Sequence, residues 1–304
     1  MSRPGKTAGT PIHAGTVVAS FGRQFTVELA DGTLIPCVTR GKRTDLACGD
    51  RVSVAMTAPD QGVIESIAPR ASLFYRSDVQ REKLIAANVT QIVIVLAVAP
   101  PFHGELLDRC LAAAEEARIP ALLALNKMDL AGAPDALQAL DLYRGLGYAV
   151  LPLAAKIDIV PLRERLAGHL SVLVGQSGMG KSTIINRLLP DAAARVGELS
   201  AALGSGRHTT THARLYHLDA ASHIIDSPGL QEFGLVHVAP EDLAHDFVEF
   251  RPHLGNCKFN DCKHLTEPGC AIAAAVERGE IAAPRLDSYR MLVAQLLKKR
   301  QRWE

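Results

Sequence analysis

The sequence predicts a multidomain protein of class α/β and β, with an N-terminal barrel, a central α/β domain and a helical C-terminal domain. Three observations support this prediction. The N-terminal part holds short β-favouring runs separated by turn residues, the central part alternates apolar strands with helical segments, and the C-terminal part carries a cluster of Cys and His. The length of 304 residues accommodates two or three domains.

The composition is that of a globular protein with balanced charge. Lys and Arg together number 33 and Asp and Glu 32, so the formal net charge is +1 and any contact with nucleic acid must be local. The most apolar run, residues 92–99, is too short to cross a bilayer, and residues 1–13 lack the apolar core of a signal peptide. We therefore expect a cytoplasmic protein that does not enter the membrane.

The N-terminal region consists of a tail and a predicted barrel. Residues 1–12 are rich in Gly, Pro, Ser and Thr and are expected to form a flexible tail. Five short strands are predicted within residues 13–71, at 16–19, 25–29, 34–38, 51–56 and 62–67. An OB-fold accounts for this pattern, and an SH3-like barrel would account for it equally well.

The central region alternates strands with helices after a connector over residues 72–81. Predicted strands cover residues 91–99, 121–125, 149–153 and 170–174, and predicted helices cover 106–117, 133–145 and 181–189. Residues 213–218 and 223–225 are expected to form a strand pair. Such alternation is typical of a mostly parallel sheet covered by helices. The last helix is expected over residues 286–302.

The strongest single signal is the phosphate-binding pattern GxxxxGK[ST], which follows an apolar strand and precedes a helix. Its glycines let backbone N–H groups surround phosphate oxygens, Lys181 supplies a cation for the β and γ phosphates, and the Ser182 hydroxyl supplies a ligand for Mg²⁺. A glycine-rich turn with a solvated lysine is the alternative. The residues expected to contact nucleotide here are Val174, Gly175, Gln176, Ser177, Gly178, Met179, Gly180, Lys181, Ser182 and Thr183.

A second motif, Asn126-Lys127-Met128-Asp129, predicts which base the site accepts. It follows the apolar strand 121–125, and α/β folds bind ligands at the carboxyl ends of their strands. The Asp129 carboxylate can accept both the ring N–H and the exocyclic amine of guanine, whereas adenine presents an acceptor in place of the ring donor. Together with the phosphate-binding pattern, this motif predicts GTP rather than ATP.

Two further segments complete a predicted GTP site. Asp226-Ser227-Pro228-Gly229 follows an apolar strand, so that Asp226 can hold a Mg²⁺-bound water and the Gly229 N–H can contact the γ-phosphate. The loop 204–211 is rich in hydroxyl groups, and one of its threonines, with Thr210 favoured over Thr209 and Thr211, is expected to ligate Mg²⁺. An ordinary polar turn is the alternative for either segment.

The residue that would orient the attacking water is not in its usual place. Many GTPases have Gln directly after DxxG, but this sequence has Leu230, whose apolar side chain cannot orient water by hydrogen bonding. His208 is the candidate catalytic residue, because an imidazole can accept a proton or hold the water in line. A solvated loop histidine is an equally good interpretation.

The order of the motifs predicts a circular permutation. The guanine motif precedes the phosphate-binding pattern, whereas the usual GTPase order begins with the phosphate-binding loop. A cyclic shift restores that order. As a consequence, the segment after Gly229 leads almost directly into the C-terminal region, so that nucleotide state could act on that region.

The C-terminal cluster has the spacing Cys257-x4-Cys262-x-His264-x5-Cys270. Three thiolates and one imidazole form a closed tetrahedral set for one structural zinc ion. A disulfide with a spare cysteine, or free thiols, is the alternative. Lys258, Lys263 and the basic run 298–302 offer positive charge for a phosphate backbone, although the run would also suit a solvated helix end.

Taken together, these motifs resemble one family, the ribosome small-subunit-dependent GTPases RsgA/YjeQ, over nearly the whole chain. After the flexible tail over 1–12, the resemblance implies an OB-fold-like barrel over 13–71, a central circularly permuted P-loop GTPase domain over 80–235 and a helical zinc-binding domain over 236–304. It also implies late maturation of the small ribosomal subunit, contact with rRNA, GTP hydrolysis stimulated by that subunit and coupled to release, and a monomer off the ribosome.

Two departures from the family pattern are visible. Ala154-Ala155-Lys156 lacks the hydroxyl that usually precedes Ala-Lys, although the Ala155 N–H can still reach the guanine carbonyl and Lys156 keeps its place beside the base. Ser227 stands where Thr is commoner. Two functions stay open at this point: a GTPase assembly factor, and a GTP-regulated rRNA-binding module in which hydrolysis is incidental.

Overall fold

The structure, a computed structural model, describes residues 11–22, 24–41, 45–77, 82–190, 213–227, 235 and 238–300. Most of the predicted tail therefore lies outside the described residues. Among the helices that are described, none combines the length and the apolar character needed to cross a bilayer.

The N-terminal region is a five-stranded barrel with the OB-fold arrangement. The strands are β1 (Ile12–Phe21), β2 (Gln24–Leu29), β3 (Leu34–Thr39), β4 (Arg51–Ala58) and β5 (Gln61–Ile67). They pair in the order β1-β2-β3-β5-β4, β3 and β5 are parallel, and β4 returns to β1 to close the barrel. This Greek-key ring resolves the choice that the strand pattern left open.

Alternating apolar residues of these strands form the barrel's own core. Val17, Val27, Val54 and Ile64 have no exposed surface and pack together inside it. The two-residue period of a strand brings alternate residues of each strand to this inner face.

The connector expected over residues 72–81 contains a strand, which pairs with another strand that follows it. Strands β6 (Leu73–Ser77) and β7 (Glu82–Ala87) are antiparallel. Phe74 is 1% exposed and packs in the central core, which anchors β6 there. The Asn88 amide then donates to the carbonyl oxygen of Gly49 at 2.9 Å, which ties the end of the strand pair to the barrel.

The central region is a parallel sheet with one antiparallel strand. The order of the parallel strands is β10 (Ala149–Pro152), β9 (Ala121–Asn126), β8 (Gln91–Ala97), β11 (Leu170–Val174) and β13 (His223–Asp226). Strand β12 (Arg214–His217) lies antiparallel beside β13. The ends of β9, β11 and β13 therefore meet at one edge, where the predicted nucleotide motifs follow them.

Helices cover the central sheet. They are α1 (Gly104–Glu116), α2 (Ala133–Gln138), α3 (Asp141–Gly145), α4 (Val160–Leu166) and α5 (Lys181–Leu188). The single helix expected over 133–145 is thus two short ones. The chain turns between them at Leu140, which is completely buried.

The C-terminal region is helical and shares the core of the central region. Two 3₁₀ helices, Leu243–Asp246 and Val248–His253, precede α6 (Ala271–Glu277) and α7 (Ala283–Arg300). Phe247, Phe250 and Tyr289 form a packed aromatic group in the same core cluster as residues of α1.

The barrel joins the central sheet through β1 and β12. A single residue pair, Ala19 with Arg214, makes this ladder, and it links the two regions into one sheet of 11 strands. Next to it, the Glu28 carboxylate lies 2.7 Å from Nε2 of His217.

Candidate nucleotide site and metal centre

The phosphate-binding loop connects β11 to α5, and its glycines adopt backbone conformations that other residues rarely take. Gly175, Gly178 and Gly180 have φ angles of 148°, 83° and 99°. A Cβ atom at Gly175 would lie 2.4 Å from the Val95 carbonyl oxygen, and one at Gly180 would lie 2.3 Å from the Asn126 side-chain nitrogen. The loop is therefore closely packed against β8 and β9, and only glycine fits at these two positions.

Lys181 lies over this loop at the start of α5. Its ammonium group donates hydrogen bonds to the carbonyl oxygens of Gly175 at 2.5 Å and Gln176 at 2.9 Å. Burial lowers the pKa of Lys181, and the nearby Asp226 carboxylate opposes that shift. The cation is thus held against the phosphate-binding loop, and its contact with the β and γ phosphates stays a prediction.

Asp226 ends β13 close to Lys181 and is 8% exposed. Burial raises the pKa of its carboxyl to about 6, although the charge of Lys181 acts in the opposite direction. The Ser227 hydroxyl donates to the Leu173 carbonyl oxygen at 2.7 Å, which ties the end of β13 to β11. Ser227 therefore makes this contact through its hydroxyl, the group that threonine shares with it.

The guanine motif is tied to the phosphate-binding loop by Asn126. This side chain is 2% exposed, and its amide donates to the Met179 carbonyl oxygen at 3.1 Å. Its Oδ1 accepts a hydrogen bond from the Ala155 N–H, also at 3.1 Å. One buried side chain thus joins three loops, a role that the guanine motif alone does not indicate.

Lys127 adds a second connection between the motifs. Its ammonium donates to the Gly178 carbonyl oxygen at 2.7 Å and also to the carbonyl oxygen of Ala99. The Met128 N–H donates to the Leu153 carbonyl oxygen at 3.1 Å, which ties the loop to the end of β10. Asp129, which follows, is exposed at the edge of the site.

Ala155 and Lys156 lie beside the guanine motif. Ala155 is 1% exposed, and its N–H already donates to Asn126, so a contact with guanine requires that N–H to be shared. Lys156 is exposed. The roles of both residues toward the base stay predictions.

Several predicted residues lie outside the described part of the chain. They are the candidate catalytic residue His208, the candidate Mg²⁺ ligand Thr210 with its neighbours Thr209 and Thr211, the γ-phosphate contact Gly229, and Leu230. Ser182 and Thr183 are described, and they form the first turn of α5.

The Cys/His cluster brings its four side chains together. The potential ligand atoms of Cys257, Cys262, His264 and Cys270 all lie within 4.8 Å of one another. Nδ1 of His264 is 3.5, 3.6 and 3.5 Å from the three sulfur atoms in that order. Three thiols and one imidazole at these separations form the donor set of one structural zinc site, with no position left for water.

The turns around this cluster are stabilised by local hydrogen bonds. The Glu267 carboxylate accepts from the N–H groups of Lys263, Leu265 and Thr266. The Tyr289 hydroxyl donates to the Lys263 carbonyl oxygen at 3.0 Å, which fastens the cluster to α7. Bound zinc would cross-link the two ends of this segment, which is how small zinc modules are stabilised.

Comparison with known proteins agrees with this geometry. A sequence model described as RsgA GTPase matches residues 67–236, more than half of the chain. The chain is 54% identical over 298 residues to a protein of Nitrosospira multiformis named small ribosomal subunit biogenesis GTPase RsgA, with 97% of this chain and 95% of the relative covered.

Two solved structures resemble the whole chain. The crystal structure of YjeQ from Thermotoga maritima superposes with a TM-score of 0.73 at 32% identity and covers 94% of this chain and 99% of its own. The structure of YloQ, described as a circularly permuted GTPase, has a TM-score of 0.68 at 26% identity and covers 97% and 99%.

Proposed function

The chain belongs to the RsgA GTPase family, and from this premise we propose that it hydrolyses GTP in the biogenesis of the small ribosomal subunit. The subunit is then the partner that stimulates hydrolysis, and hydrolysis drives release from it. The protein acts in the cytoplasm, as a monomer when it is off the ribosome.

One observation carries the assignment of the nucleotide. The Asn126 amide donates to the Met179 carbonyl oxygen within the phosphate-binding loop, so the motif that reads the base has a fixed position relative to the loop that holds the phosphates. A preorganised site of this kind needs little rearrangement when it binds its ligand. The part of the site that the structure describes therefore supports selective binding of a ligand that has both a guanine base and phosphate groups.

The proposed roles follow the geometry of the described residues. Asp129 accepts from the two donors of guanine, the loop glycines present N–H groups to the phosphates, and Lys181 neutralises the β and γ phosphates. Ser182 would ligate Mg²⁺ directly and Asp226 would hold it through water, with Thr210 as a further ligand. Bound Mg²⁺ would supply charge neutralisation between the β and γ phosphates.

The proposed reaction transfers the γ-phosphoryl group to water. A bond forms between the water oxygen and the γ-phosphorus, the bond to the bridging oxygen of GDP breaks, and GDP and inorganic phosphate are the products. We assign orientation of the water to His208, since the apolar Leu230 cannot do this by hydrogen bonding. Because the segment after Gly229 leads into the C-terminal region, the nucleotide state would be transmitted there.

Contact with rRNA is proposed for the barrel and the metal centre. Lys258 and Lys263 place positive charge beside the Cys/His cluster, and the Lys258 ammonium lies 5.5 Å from the ring centre of Phe259, which is 42% exposed. Exposed aromatic and cationic side chains suit stacking on unpaired bases and contact with phosphates. This positive charge is a local feature of the surface, as expected for a chain whose total charge is nearly balanced.

The decisive experiment measures hydrolysis of GTP and ATP by the purified protein with and without small ribosomal subunits. Strong stimulation restricted to GTP supports the proposal. Hydrolysis that is indifferent to the subunit, together with subunit binding that depends on GTP, would favour the alternative of a nucleotide-regulated rRNA-binding module.

A variant at Asp129 tests the proposed role of this residue in recognising guanine. Asp129→Asn replaces an acceptor by an amide donor, so we expect GTP binding to fall and binding of xanthosine triphosphate, which has a carbonyl at that edge, to rise. Asp135→Asn, a change at the first turn of α2, is the matched control. Equal loss of both nucleotides in Asp129→Asn would contradict the assigned role.

A further inference from the structure

Two histidines face each other at the end of the strand pair β12–β13 that lies farthest from the nucleotide motifs. His217 is the last residue of β12 and His223 the first of β13, and they are direct partners in the antiparallel ladder. The other end of this ladder pairs Arg214 with Asp226, the carboxylate of the candidate nucleotide site. The ladder therefore fixes the spacing of the two imidazoles and places them away from that site.

The two imidazole rings approach each other through the same type of nitrogen. Nδ1 of His217 lies 2.8 Å from Nδ1 of His223, and the ring centres are 4.7 Å apart with nearly perpendicular ring planes. Two such nitrogens either share one proton in a hydrogen bond or present two lone pairs to a shared cation. The pair is accessible to solvent, since the His217 side chain is 47% exposed.

A carboxylate of the barrel determines which nitrogen of His217 is free. Oε2 of Glu28 on β2 lies 2.7 Å from Nε2 of His217. Because a carboxylate accepts at this distance, Nε2 carries the proton and Nδ1 keeps its lone pair toward His223. A carboxylate behind a histidine is the arrangement that orients metal-binding imidazoles and strengthens them as ligands.

The surroundings keep His223 neutral, as a metal ligand must be. Burial lowers the pKa of His223 and the charge of His217 lowers it further, whereas the carboxylates of Asp219 and Glu28 act in the opposite direction. When a metal ion takes the place of the proton between the rings, His223 can carry that proton on Nε2 instead. Binding therefore requires no charged imidazole to be neutralised at His223.

The separation of the two nitrogens selects the kind of metal. With metal–nitrogen bonds of about 2.0–2.1 Å, two nitrogens 2.8 Å apart subtend an angle of about 85–90° at the ion. This is the angle between neighbouring ligands in square-planar and octahedral complexes, which Ni²⁺ and Cu²⁺ prefer. A tetrahedral zinc ion would need the nitrogens about 3.3 Å apart.

The histidine pair differs in chemistry from the Cys/His cluster. That cluster supplies four donors, three of them thiolates, which is the set of a closed structural zinc site. The histidine pair supplies two nitrogen donors at the surface, so that water completes the coordination of a bound ion. Such a site suits a metal that exchanges with the solvent.

We propose that His217 and His223 form a second metal site, which binds one Ni²⁺ or Cu²⁺ ion through their Nδ1 atoms while Glu28 orients His217 from behind. Because Glu28 belongs to the barrel and both histidines belong to the central sheet, the bound ion would strengthen the junction between these two regions. The proposal does not depend on the chemistry at the nucleotide site.

Calorimetry with NiCl₂ at pH 7.5 tests the proposal on the full, untagged chain after it has been loaded with zinc. We expect one Ni²⁺ ion per chain in addition to the zinc. His217→Ala and His223→Ala should each weaken this binding at least tenfold, whereas His13→Ala, which removes an exposed histidine of β1, should leave it unchanged. Absence of Ni²⁺ binding by the parent chain, or binding that both alanine variants of the pair retain in full, would overturn the proposal.

A variant of the barrel carboxylate tests its positioning role. Glu28→Ala leaves both ligands in place and should weaken Ni²⁺ binding about tenfold, as removal of an orienting carboxylate does at other metal sites. Glu65→Ala, which removes the barrel carboxylate paired with Arg40, is the matched control and should not change the affinity. Equal affinities of these two variants for Ni²⁺ would contradict the role of Glu28.

Paramagnetic broadening in NMR spectra locates the ion independently. Bound octahedral Ni²⁺ should broaden the amide signals of Glu28 and Ser222, next to the histidine pair. Signals of β10 should stay sharp, because β10 lies four strands from β13 and thus roughly 19 Å away. Broadening centred on the Cys/His cluster instead would overturn the proposal.

Discussion

The barrel and the C-terminal region are attached to the central sheet in different ways. The barrel has a core of its own and also adds Val18 and Cys48 to the central core. Its backbone meets the central region at the pairs Ala19–Arg214 and Cys48–Ala86 and at the Asn88–Gly49 hydrogen bond, and its Glu28 side chain pairs with the half-exposed His217. The C-terminal region has no comparable separation, since its aromatic residues lie in the same core as α1.

A buried ion network strengthens the second attachment. Arg285 on α7 is 1% exposed and contacts the carboxylates of Asp108 at 2.6 Å and Glu249 at 2.5 Å. The Tyr143 hydroxyl donates to the same Asp108 oxygen at 2.8 Å. Buried charges depend strongly on their partners, whereas exposed pairs contribute little. We infer that the central and C-terminal regions unfold as one unit and that the barrel is a second unit.

Loss of zinc should have the largest effect on the stability of this shared unit. Chelation, or His264→Ala, is expected to destabilise the C-terminal region by on the order of 5 kcal/mol, because the closed donor set couples metal binding to folding. Since the core is shared, the central region should melt with it while the barrel signals in an NMR spectrum persist. Melting confined to α6 and α7 would contradict the shared unit.

Removal of the buried guanidinium should have the next largest effect. Arg285→Ala leaves Asp108 and Glu249 buried without their cation and should lower the free energy of unfolding by about 3–5 kcal/mol. Denaturant titration measures this difference. Arg278→Ala, which breaks an exposed pair with Glu280, is the control and should cost less than about 1 kcal/mol.

Asp246 should make the stability of the unit formed by the central and C-terminal regions depend on pH. Its pKa is raised from 3.8 to about 8 in the folded protein, so the folded state holds a proton that the unfolded state loses, and this contribution to stability disappears as pH rises from about 4 to 8. Asp246→Asn should therefore be more stable than the parent at pH 8, by up to about 5 kcal/mol, and nearly equal to it near pH 4. Melting curves at both pH values check this, and a difference independent of pH would be inconsistent with a buried titrating carboxyl.

A substitution at the junction between the barrel and the central sheet should have the smallest effect on stability. Glu28→Gln removes the charge from a pair in which His217 is 47% exposed, so the expected loss of stability is below about 1 kcal/mol. Thermal melting with Glu65→Gln, which breaks the surface pair with Arg40, serves as the comparison. A loss as large as that of Arg285→Ala would remove the distinction between the two junctions.

Much of the fold could be predicted, and the motifs of the candidate site could be recognised, because the signals are local. The P-loop pattern, the guanine motif and the zinc ligands are each short, and their residue types are dictated by the groups they bind. The strand pattern likewise predicted a barrel of five strands. It did not predict which barrel, since that depends on the parallel pairing of β3 with β5, a contact between distant segments.

The contacts at the junctions could not be predicted, because they too join segments that are distant in the sequence. Arg285 and Asp108 are 177 residues apart, and nothing near either residue marks it as half of a buried pair. The interlocking role of Asn126 depends on a contact with Met179 across 53 residues. Strand β6 reads as a connector in the sequence because its buried residue Phe74 gains a reason to be apolar only where α1 packs against the strand.

Native-state hydrogen exchange tests the central claim most directly, by measuring the free energy at which each amide loses protection in increasing denaturant. The account predicts that amides of α1 and α7 lose protection together at one free energy, and that amides of β4 and β5 in the barrel do so at another. Loss of protection in α7 at a lower free energy than in α1 would contradict it, because the C-terminal region would then unfold while the central region stays intact.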